Sequence, residues 1–149
     1  MLEGALIGLI VAVVVMLFKK NKQKKALAEI NNSDTLDTPS YSAFFHHSPE
    51  SIFKGKGFKF FDTNGVGYIS GNNFNYKTKK DTLTFDLATC GVEYAGKKKK
   101  LDWVSIEDNG VKHYFTSFQQ GAFKLNDSEM DNFIEKLQQL KPEANLEIV

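Results

Sequence analysis

The chain has 149 residues, nineteen basic against eighteen acidic side chains, and a formal net charge of +1. Every basic residue is a lysine. With no arginine fork for bidentate phosphate or base-edge contacts, and no basic surplus, nucleic-acid recognition is excluded as a main task. A single cysteine, Cys90, excludes an intrachain disulfide framework and fits a reducing compartment.

The chain opens on an apolar run. From Leu2 to Phe18 the only charge is Glu3, and Ala5 to Phe18 is uninterrupted. About 17 residues in helical form reach roughly 26 Å, slightly under a hydrocarbon core of ~30 Å. Lysines follow at once: Lys19, Lys20, Lys22, Lys24 and Lys25. A secretory signal would carry its positive charge before the apolar run and a small-residue cleavage site after it. Here Glu3 leads and the lysines trail. The expectation is a transmembrane helix with a basic extension over residues 2–30, its five lysines touching the bilayer. The positive-inside rule then sets the N-terminus outside and the C-terminal domain in the cytoplasm, as a single-pass protein. Gly4 and Gly8 stand at a spacing that permits close helix pairing.

Residues 31–50 are rich in Ser, Thr, Asn, Asp and Pro without periodicity, and read as a linker. Phe44 and Phe45 within it are expected to dock on the folded domain. That domain spans residues 51–141, followed by a tail over 142–149. From Lys54 onward fourteen lysines face the sixteen carboxylates found from Asp34 onward, so this part is slightly acidic.

Strand patterns fill the domain. Phe58–Phe61 is a short aromatic run, and Asn64-Gly65 reads as a hairpin turn. Tyr68–Ser70 and Phe74–Thr78 flank a turn-rich SGNN. In Thr82–Ala88, Leu83, Phe85 and Leu87 alternate with Thr84, Asp86 and Ala88, the mark of a half-buried strand. A short GVEY strand follows. LDWVSIE and VKHYFTS are joined at Asn109-Gly110, the strongest short hairpin signal. The last element is helical. Asn126 reads as its N-cap, with Glu129 completing a capping box and Leu125 and Met130 a staple. Met130, Phe133, Ile134, Leu137 and Leu140 form one apolar stripe, and Lys141-Pro142 ends it. The fold class expected is mainly β, with α+β character at the edges. About seven antiparallel strands form a barrel or sandwich capped by a C-terminal amphipathic helix, behind the N-terminal transmembrane helix and linker.

GYISGNNFNY, then TLTFDLA, then LDWVSIEDNGVKHYFTSF and a closing helix resemble the pleckstrin-homology-like superfold over about Ile52–Leu140. The pattern is similar to its GRAM and bacterial PH-like branches, with Gly67 to Phe74 matching the opening hairpin. The resemblance implies a non-enzymatic scaffold for lipid headgroups, peptides or self-association. In its lipid-binding members clustered basic residues in the first hairpin hold the headgroup, a part that would fall to Lys54, Lys56 and Lys59.

FFDTNGVGYISGNNF mimics a calcium loop, with Asp62 and Asn64 at the first and third positions. Val66 and Asn73 stand where side-chain oxygens should close the shell. Lys97, Lys98, Lys99 and Lys100 form a basic run, read as a solvated loop tip or as a contact with anionic lipid. His46, His47 and His113 have no carboxylate or thiol at ligand spacing, so no metal is implied. Cys90 and Trp103 read as core. No catalytic constellation or cofactor motif is recognisable. The expected function is therefore a membrane-anchored, non-enzymatic binding or assembly module, whose partner is an unidentified protein or a second copy pairing along a sheet edge. Anionic-lipid binding is the first alternative and calcium regulation through Asp62 and Asn64 the second.

Overall fold

A computed structural model of the chain describes residues 2–31, 39–57, 59, 61–117, 119–120, 125–126 and 128–146. In order along the chain, helix α1 (Leu2–Asn31) precedes strand β1 (Tyr41–Pro49) and the one-turn helix α2 (Glu50–Phe53). Strands β2 (Thr63–Ser70), β3 (Asn73–Lys77), β4 (Thr82–Asp86), β5 (Gly91–Lys98), β6 (Leu101–Asp108) and β7 (Val111–Thr116) follow. A two-residue ladder, β8 (Gln119–Gln120) with β9 (Leu125–Asn126), leads into helix α3 (Ser128–Leu140).

Strands β1 to β7 form one antiparallel sheet in the order β4-β3-β2-β1-β7-β6-β5. It consists of two meanders, β1–β4 and β5–β7, joined where β1 pairs with β7. Local chemistry sets the turns. Gly71 at φ +55° closes β2–β3, and Asn109 and Gly110 at +50° and +78° close β6–β7, all left-handed positions that favour Gly and Asn. In the β3–β4 connection the Thr78 hydroxyl accepts from the Lys80 and Asp81 amides at 3.2 and 3.0 Å, a side chain mimicking a backbone turn.

The inner face of the sheet carries the main core. Phe45, Phe74, Phe115 and Phe133 are all fully buried, with Phe45 and Phe133 rings 4.7 Å apart and Phe74 and Phe115 edge-to-face at 5.2 Å. Each such ring contributes about 1.5–3 kcal/mol by leaving water. Met130, Phe133, Ile134 and Leu137 supply the buried stripe of α3, while Leu140, expected to extend it, is solvent-exposed. The Tyr41 hydroxyl donates to the Glu129 carbonyl at 3.1 Å and pins the start of the helix to the start of β1.

A second, smaller cluster lies on the outer face. Leu101, Trp103 and Tyr114 are covered by Phe53 and Phe61 from the β1–β2 connection. Phe53 stacks on Tyr114 at 3.9 Å and meets Trp103 edge-on at 5.1 Å. The Trp103 indole N–H donates to the Lys98 carbonyl at 3.3 Å. Trp103 is buried as expected, on the opposite side of the sheet from the main core.

Several expectations need correction. Among the described residues no helix is long and apolar enough to cross a membrane. The single-pass span over 2–30 is thus overturned. The outside-to-cytoplasm orientation goes with it. The expected linker over 31–50 ends in the central strand of the sheet, because Phe44 and Phe45 sit in β1. Asn64-Gly65 is not a turn but part of continuous β2, paired with His46 and Phe45. Of the expected Phe58–Phe61 strand, Lys59 and Phe61 lie in a loop, and Phe58 and Phe60 fall outside the described residues. Asn126 pairs with Gln119 and so does not cap α3, which begins at Ser128.

Candidate functional site

The sheet does not close on itself. Its two ends, β4 and β5, each carry one side of backbone groups that no other strand of the sheet uses. On β4 the side chains of Thr82, Thr84 and Asp86 are exposed and Phe85 is buried, with the Thr84 hydroxyl donating to Asn75 Oδ1 at 2.9 Å. On β5 the register slips at a bulge between Tyr94 and Gly96. There the edge is partly occupied. Asn145, beyond α3, makes an isolated parallel bridge with Glu93, and its carbonyl accepts from the Tyr94 N–H at 2.8 Å. The phenol of Tyr94 donates to the buried Asp102 carboxylate, which also attracts Lys97 Nζ at 3.8 Å.

The lysines expected to bind headgroups are already engaged in part. Lys54 pairs with Glu50 at 2.5 Å and Lys59 with Asp62 at 2.8 Å, while Lys56 stays exposed in the same loop. These contacts leave little net positive charge on the β1–β2 connection. The run Lys97–Lys100 forms the β5–β6 hairpin tip. Lys98 lies over the Phe53 ring, its ammonium 4.8 Å from the centroid. Lys99 and Lys100 adopt φ of +55° and +65°. The same class of turn that β6–β7 builds from Asn-Gly is here built from two lysines, against their backbone preference. The calcium loop kept as the second alternative is not formed, since Asn64 is held in an extended strand and Asp62 takes the Lys59 ammonium.

Sequence reading missed a histidine cluster. By register, the end of β1, the start of β2, the β3–β4 turn and the β6–β7 turn lie on one side of the sheet. Here His47 Nε2 and His113 Nδ1 are 3.0 Å apart, one donating and the other accepting. The other ring nitrogen of His47 meets Thr63 Oγ1 at 3.3 Å, and Thr63 meets the Tyr76 hydroxyl at 3.2 Å. Burial lowers the His47 pKa to about 4, with the neighbouring His113 adding to the shift; His113 is lowered as well, chiefly by burial. Both rings are therefore neutral near pH 7. Among the described residues no group of three His, Cys, Asp or Glu side chains is placed to hold a metal ion, and the two imidazoles share a hydrogen bond. The only signal in sequence was His47 and His113 each facing inward on its strand, invisible while β1 read as linker.

Cys90 is buried, its thiol 3.7 Å from Asp108 Oδ1 and pushed up to about 11, first by burial and then by that carboxylate. It stays a thiol at neutral pH. On the outer face Lys112 bridges Glu93 at 2.6 Å and Glu107 at 3.5 Å, a surface ion network.

No family model, curated protein or solved structure matches the chain.

Proposed function

We propose that the chain is a non-enzymatic binding module of pleckstrin-homology-like type, whose partner is an extended polypeptide segment pairing along an edge of the sheet. Two meanders joined through β1–β7, with a C-terminal helix over the inner core, support that architecture. The observation carrying the function is the Tyr94–Asn145 hydrogen bond, by which the β5 edge already holds an extended segment through its backbone. Backbone pairing supplies affinity in such a mode, and alternate side chains in pockets supply selectivity. Affinity capture from native extract with the full chain, read by quantitative mass spectrometry beside light scattering, tests this. A specific protein or a second copy, retained by the full chain and lost on edge disruption, is expected. A chain recovered alone and monomeric overturns the proposal.

A second reading rests on the left-handed Lys99-Lys100 turn, which supports a contact of the hairpin tip with anionic surfaces. Vesicles containing phosphatidylserine should bind the full chain and release the Lys99→Asn/Lys100→Gly double variant. Equal binding by both removes this reading.

A further inference from the structure

We infer that residues 144–146 are a displaceable strand seated on the β5 edge, standing in for a short extended peptide with a small residue and, two positions on, a leucine-class side chain. This rests on the edge-pairing function proposed above and specifies which edge is used and what guards it.

After α3 the chain turns back. The Lys141 amide donates to the Leu137 carbonyl at 2.8 Å and the Ala144 amide to the Lys141 carbonyl at 3.0 Å. Lys141 Nζ fixes that corner by donating to the Leu87 carbonyl at 3.0 Å, with Glu143 at 3.2 Å. Three residues then lie against β5. Asn145 makes the single bridge with Glu93 and accepts from Tyr94, its side chain exposed. Leu146 is 1% exposed within the main core cluster, and Ala144 packs against that cluster.

The attachment is strong in one respect and weak in another. One bridge is far short of a ladder that persists alone, and the bulge at Tyr94–Gly96 prevents its extension along β5. What retains the segment is one apolar side chain, helped by the short tether from α3, which keeps its effective concentration high. An incoming peptide offering the same carbonyl to Tyr94 and the same side chain to the Leu146 site would compete directly. The parallel alignment with Glu93 sets the direction of that peptide.

The probe is a fluorescent peptide with the sequence of residues 142–149, titrated by anisotropy into the full chain and into a chain ending at Glu143. Binding at least tenfold tighter to the shortened chain is expected, as is at least tenfold loss when the peptide carries Leu146→Ala. Equal affinity for both chains overturns the inference, as does no binding to a shortened chain that still melts cooperatively. If shortening prevents folding, amide exchange in the full chain decides. Tyr94 should exchange at least tenfold faster than Val104, whose strand is paired on both sides. Equal protection overturns the inference. A shortened chain that takes the peptide while the full chain captures no partner would sink the edge-pairing function and leave the displaceable strand standing.

Discussion

Gly65 and Gly67 sit in mid-strand because other groups occupy the space a side chain would need. A Cβ on Gly67 would meet the Phe45 ring at 2.5 Å and the Phe74 ring at 2.8 Å, and one on Gly65 would run into the Lys77 carbonyl. Gly67→Ala should therefore cost about 1–3 kcal/mol in urea denaturation, since two core rings must shift. An unchanged midpoint would contradict that packing. The histidines give a second residue-level expectation. Burial lowers His46 and His47 to about 4, from an ordinary 6.5. Their neutral forms are favoured by folding, so this stability is complete above pH 6.5 and lost as pH falls towards 4. Between pH 7 and pH 5 the fold should lose about 2 kcal/mol, allowing for partial solvent screening. Equal denaturation midpoints at the two values would contradict the neutral pair. The reading of Asn64-Gly65 as a turn failed for a physical reason: glycine can mark a turn or a close backbone approach, and only the register distinguishes them.

Elements were legible where one face met water. β4 alternates because it is an edge strand with one buried face, and its pattern predicted it well. α3 was legible through its stripe, although its start was not. β1 was hidden because it is central. Ala43, Phe45 and His47 face inward while Phe44, His46 and Ser48 face outward into partly or fully buried surroundings, so no alternation survives. His and Ser in such a strand look like linker composition. The Asn109-Gly110 hairpin announced itself, but Lys99-Lys100 adopts a similar backbone without the residues that favour it. The Lys99→Asn/Lys100→Gly variant should gain about 1 kcal/mol by relieving two left-handed lysines. A variant no more stable than the parent, by thermal or urea melting, would argue against stored strain.

At the scale of the whole molecule the sheet is covered on both faces, by α3 within and by the β1–β2 connection without. The outer cover has its own reporter, the only tryptophan. Phe53→Ala should remove the ring that meets Trp103 edge-on and shift the indole emission to the red, with the main core still melting cooperatively. Unchanged emission would mean the connection does not shield the indole. The hidden central strand also has a consequence during synthesis. β1 is the first strand made, yet its second neighbour is the last of the seven-stranded sheet: His46 faces Thr116 across seventy positions of chain. Until translation passes Thr116, one side of the middle of the molecule lacks its mate. A nascent or prematurely terminated product therefore presents a sticky flank to its surroundings.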